Sequence, residues 1–99
     1  MKYYRQSNDL TMKEAIEAMV KSLRLEGKMN EVKVINAWEK VMGAAVAHRT
    51  TEIKIIDHKL FVTLSSASLR QELFMAREKI CTMLNEEAGA NVISEVVLK

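Results

Sequence analysis

Proline is absent from this 99-residue sequence, and glycine occurs only three times, at Gly27, Gly43 and Gly89. So few helix breakers leave no linker, repeat or low-complexity segment that would separate two domains. The length matches one domain of ordinary size, with one modest hydrophobic core. We therefore predict a single domain over residues 11–99, preceded by a polar, flexible arm over residues 1–10.

Cysteines and long apolar runs are equally scarce. Cys81 is the only cysteine, which excludes an internal disulfide and a paired-cysteine motif and fits a reducing cytoplasm. No apolar run approaches the ~20 residues that a membrane span requires, and the polar N-terminus has no signal-peptide pattern. These absences predict a cytoplasmic protein without a membrane partner.

Groups suited to catalysis or metal binding are few and poorly spaced. The histidines are His48 and His58 alone, and a metal site needs three or four ligands. No glycine-rich phosphate loop is present. Ser65, Ser66 and Ser68 lie at a predicted helix start, where capping explains them more simply than a role as nucleophile. We predict no enzymatic activity, no cofactor and no metal site.

Two amphipathic helices are predicted for the first half of the chain. The segment 11–14 (TMKE) has a capping-box pattern, and the first helix is expected to end at Gly27. The second is expected from about Asn30 to about Ala47, with its stripe centred on Trp38. Both apolar stripes are expected to face the core: Met12, Ala15, Ile16, Met19, Val20 and Leu23, then Val34, Ile35, Trp38, Val41, Met42, Ala45 and Val46.

The apolar period then changes from 3.6 to 2. Two alternating runs flank a polar turn at 57–58, which predicts a β-hairpin. A capping box of Ser68 and Gln71 opens a third helix that ends at Gly89, and residues 92–98 form a last strand. The order α-α-β-β-α-β predicts an α+β, two-layer domain whose three-stranded sheet is covered by helices on one face.

One stripe on the third predicted helix is a candidate nucleic-acid site. Arg70, Phe74, Arg77 and Cys81 are spaced four, three and four residues apart, so two guanidinium groups flank a phenyl ring that could stack a base. The alternative is that Phe74 packs under the first helix and the arginines pair with nearby glutamates. Two basic residues near the hairpin are assigned to the same function, although a solvated hairpin face also explains them: Arg49 and Lys54.

The outer face of the predicted sheet is a candidate partner surface. Ile56 and Phe61 point away from the core-facing side chains, and Ile93 and Val97 are expected beside them. The N-terminal arm, a second copy of the chain or another protein could cover such a patch. Scattered apolar residues on a small surface are the alternative.

Several segments, in order, resemble the DciA-like family, a domain of unknown function. Residues 37–43 (AWEKVMG) and 47–50 (AHRT) are similar to its W-x-x-V-x-G and A-x-x-T patterns. Residues 60–66 (LFVTLSS) and 69–73 (LRQEL) are similar to L-x-V-x-x-x-S and x-x-E-L. Residues 84–93 carry its L-N, G and V-I elements. The resemblance extends over about residues 11–98.

This resemblance implies a K-homology (KH)-like fold and a bacterial role in DNA replication, in which the protein recruits the replicative DNA helicase and contacts DNA. The leading hypothesis is therefore a non-enzymatic adaptor that binds this helicase and, weakly, single-stranded or double-stranded DNA. The alternative is a protein-interaction module, or a homodimer, that uses the outer face of the sheet and does not bind nucleic acid.

Overall fold

The computed structural model describes residues 11–99, so the predicted N-terminal arm lies outside the described residues. Four helices and one three-stranded sheet make up the described part. In chain order the elements are α1 (Met12–Met42), α2 (Ala44–His48), β1 (Thr50–Ile56), β2 (Lys59–Leu64), α3 (Ala67–Met75), α4 (Arg77–Ala88) and β3 (Glu95–Leu98). The α+β prediction is confirmed, and the KH-like topology is compatible with this order.

Helix α1 is one continuous helix, and the predicted break at Gly27 is wrong. It opens with the predicted capping box, in which the Thr11 hydroxyl accepts from the Glu14 backbone N–H and the Glu14 carboxylate accepts from the Thr11 N–H. A glycine inside a helix costs only ~1 kcal/mol relative to alanine, so Gly27 alone does not end it. The helix stops at Gly43, whose φ of 93° and ψ of 162° are open almost only to glycine.

Two side-chain hydrogen bonds connect α1 and α2 with the start of β1. The Trp38 indole N–H donates to the Thr50 hydroxyl at 2.9 Å, and that hydroxyl donates to the Val46 carbonyl at 2.9 Å. The buried indole nitrogen is thereby satisfied. The prediction that the second helix continues through Gly43 to about Ala47 is wrong, because α1 ends at Met42 and α2 is a separate short helix.

The hairpin prediction is confirmed, including its turn. Asp57 and His58 both have positive φ, 56° and 63°, as a two-residue turn of the right twist requires. In the sheet, β1 pairs antiparallel with β2, and β2 pairs parallel with β3. The strand order is β1-β2-β3, so β2 is the central strand.

The last strand begins later than residue 92 because a side chain takes its first hydrogen bonds. The Asn85 carboxamide oxygen accepts from the Val92 and Ile93 N–H groups at 3.0 and 3.1 Å, and its nitrogen donates to the Ile93 carbonyl at 2.9 Å. These backbone groups therefore cannot join the ladder to β2. Strand pairing starts at Glu95, opposite Lys59.

The core lies between the inner face of the sheet and the helices. Leu60 and Val62 of β2 are fully buried, as are Val34 of α1 and Leu84 of α4. The remaining buried residues are Ala37, Trp38, Leu64, Leu73, Ile80, Val92, Ile93 and Val96. The stripe expected for the second helix supplies Val34 and Trp38 to this core, which confirms its phase, except that Ala45 is exposed.

The stripe expected for the first helix is not part of this core. Every residue of Met12–Met29 is exposed, and the molecule measures 67 × 20 × 20 Å because this segment projects from it. The prediction that these apolar residues are buried within the domain is therefore wrong. No helix among residues 11–99 is long and apolar enough to cross a membrane.

Candidate nucleic-acid interface

The centre of the candidate interface is the junction of α3 and α4. Ala76 leaves the helical conformation at φ −105° and ψ 12°, so the predicted third helix is two helices. Across this break the Arg77 guanidinium carbon lies 4.1 Å from the centroid of the Phe74 ring. One of its nitrogens donates to the Phe74 carbonyl at 2.8 Å. The break thus places a cation directly on an aromatic ring.

Phe74 remains accessible despite this contact. Its relative exposure is 48% and that of its neighbour Met75 is 79%, so Phe74 does not pack under α1 as the alternative interpretation required. The ion pairs within residues 11–99 all join a lysine to a glutamate. The other half of that interpretation, in which Arg70 and Arg77 pair with glutamates, therefore has no support in the described part.

Arg70 lies on α3 one turn before Phe74 and is partly buried. A spacing of four residues puts both side chains on one face of that helix. The predicted single stripe through Cys81 is nevertheless interrupted, because Arg77 and Cys81 belong to a separate helix. Arg70 and Phe74 share α3, whereas Arg77 reaches Phe74 only through the bend.

Cys81 is partly buried and packs against the core. Its thiol donates to the Ile93 carbonyl at 3.5 Å, and the Asn85 amide lies 3.9 Å from its sulfur. Burial raises the pKa of the Cys81 thiol above its usual value, which keeps it in the less reactive neutral form. Its hydrogen bond to Ile93 helps to hold the segment before β3 against α4.

Arg49 lies at a second place, between α2 and β1. One of its guanidinium nitrogens donates to the Ala45 carbonyl at 3.3 Å. Its side chain lines a shallow depression together with Ser66 and Ser68, at the start of α3. The depression also includes Glu72, whose negative charge offsets that of Arg49 for an anionic ligand.

The serines at the start of α3 act as caps. The Ser66 hydroxyl accepts from the Leu69 N–H at 3.2 Å and is the N-cap. The predicted cap at Ser68, two residues later, is wrong, and the Ser68 hydroxyl instead lies 3.2 Å from that of Ser66. Among residues 11–99, no three histidine, cysteine or acidic side chains cluster closely enough to hold a metal ion.

Lys54 lies at a third place, on the outer face of the sheet. It pairs with Phe61 across the β1–β2 ladder, and its ammonium group is 3.8 Å from the Glu52 carboxylate. The structure therefore distributes the five candidate nucleic-acid residues over three places. Phe74 and Arg77 are in direct contact with each other.

The outer face of the sheet is more polar than the sequence indicated. Ile56 is 53% exposed and Phe61 is partly buried, beside Val97 of β3. Ile93, which was expected on this face, is buried in the core. The Lys99 ammonium lies 5.1 Å from the Phe61 centroid, a contact that the sequence analysis missed because it depends on where β3 ends.

The model of a family described as "Dna[CI] antecedent, DciA" matches residues 11–98. The chain belongs to the DciA family. DciA proteins act in DNA replication in a helicase-loader-type role, and membership assigns this chain a role of that type. No curated protein and no solved structure matches the chain.

Two sets of hydrogen bonds involve residues of the segments that resemble the DciA family. Trp38 and Thr50 are hydrogen-bonded to each other, and Asn85 bonds the backbone of Val92 and Ile93. These residues hold elements of the fold together. The DciA-like segments therefore report the architecture of this domain, and they do not by themselves identify a binding residue.

Proposed function

We propose that this DciA-family protein is a non-enzymatic adaptor that binds the replicative DNA helicase and makes weak contacts with DNA. The family match over nearly the whole chain is the observation that carries this proposal. A helicase loader has to hold its helicase and act close to single-stranded DNA, so both partners follow from the family's role.

The DNA contacts are assigned to the α3–α4 junction. A base can stack on the half-exposed Phe74 ring, while Arg70 and Arg77 supply positive charge for phosphates. The chain has no GxxG loop, which KH domains use to clamp a nucleic-acid backbone. Side chains must therefore supply the phosphate contacts. Arg49 and Lys54 are secondary candidates because each has a carboxylate close by.

The proposed DNA affinity is low because the net charge of the chain is only +2. Two to four phosphate contacts place the dissociation constant in the ~10⁻⁴–10⁻⁶ M range of non-specific binders, with a salt slope of ~−0.7 per contact on single strands. Titration of labelled single-stranded DNA at several salt concentrations measures both quantities.

The variants that test this site remove either the positive charges or the aromatic ring at the α3–α4 junction. Arg70→Ala with Arg77→Ala should weaken binding and flatten the salt slope by ~1.4. Phe74→Ala should weaken binding about 5- to 150-fold, the equivalent of the ~1–3 kcal/mol that a stacked base contributes. Arg24→Ala, which removes one exposed charge on the projecting part of α1, and Met75→Ala are the matched controls. Equal effects of control and junction variants would contradict the site.

The helicase part of the proposal is tested separately, by titrating the purified chain against the replicative helicase of the same bacterium. We expect direct binding that survives Arg70→Ala with Arg77→Ala. The interaction-module alternative is favoured instead if DNA binding is undetectable at high micromolar protein and if Ile56→Asp, on the outer sheet face, abolishes partner binding. Ile56 is exposed, so this change leaves the core intact.

A further inference from the structure

We draw no further inference here: the strongest candidate, the exposed apolar face of the projecting part of α1, residues 12–29, carries no proposal, because nothing in the described part of the chain shows what covers it.

Discussion

The two parts of α1 carry the same apolar period, but only one of them is buried. From Val34 onward the stripe enters the core, where Val34 and Trp38 are 0% and 3% exposed. In the projecting part the same face lies in water. The difference arises because the sheet and α4 extend only as far as the C-terminal part of α1. An apolar period therefore identifies a helix face that prefers burial, and it does not identify what covers that face.

The largest expected effect is on the buried part. Trp38→Ala should cost ~3–5 kcal/mol of unfolding free energy, since it removes a buried indole and leaves a cavity, and it also deprives Thr50 of its 2.9 Å hydrogen bond. This is a large share of the ~5–15 kcal/mol that stabilises a domain of this size. Urea unfolding measures it.

Leu23→Ala is the control for that comparison. An exposed side chain of the projecting part should change the unfolding free energy of the monomer by no more than ~0.5 kcal/mol. A large effect of Leu23→Ala at low protein concentration would show that the two parts of α1 do not differ as described.

The next effect concerns the end of α1. Gly43→Ala should destabilise the domain by ~1–3 kcal/mol, because φ of 93° with ψ of 162° strains any residue that has a Cβ. No atom lies within 4 Å of a Cβ placed there, so the cost comes from the backbone and not from a clash. Thermal unfolding monitored by circular dichroism measures the loss.

Gly27→Ala should act with the opposite sign. Gly27 lies inside the helix, so alanine should stabilise the projecting part by up to ~1 kcal/mol. Slower amide hydrogen exchange over residues 12–29, measured at low protein concentration, is the expected result. If both glycine variants were destabilising, a continuous helix through Gly27 would be contradicted.

The smallest effect is the pH dependence of the start of α1. Hydrogen bonds from the Thr11 backbone and then its hydroxyl hold the pKa of Glu14 below the ordinary value of a glutamate. A lowered pKa stabilises the helix start at pH values above that ordinary value, and the stabilisation is lost as the pH falls through the lowered pKa. An NMR titration of the Glu14 carboxyl measures it.

Two variants separate the charge of Glu14 from its hydrogen bonds. Thr11→Ala should return the Glu14 pKa toward its ordinary value because the hydroxyl partner is lost. Glu14→Gln keeps an acceptor at this position but should abolish the pH dependence. A Glu14 titration that is unchanged in Thr11→Ala would contradict the capping geometry as its cause.

Much of the candidate site could be named from the sequence, but its geometry could not. The spacing of Arg70 and Phe74 follows from one turn of helix, and the structure keeps them on α3. The contact between Phe74 and Arg77 depends on the bend at Ala76. No glycine or proline lies near Ala76, so the sequence does not predict a bend there. Alanine is a strong helix former, so local propensity opposes this bend, and tertiary packing of α3 and α4 decides it.

The sequence by itself determined which segments are helix and which are strand, because periods of 3.6 and 2 and the caps at Thr11 and Gly89 are local properties. It also determined the hairpin turn and the buried face of the second predicted helix around Val34 and Trp38. Only the tertiary structure decided which glycine ends α1, where β3 begins and which part of an apolar stripe is buried. Each of these depends on contacts between residues distant in the chain, such as those of Asn85 with Ile93, whose free energies exceed the local preferences that they override.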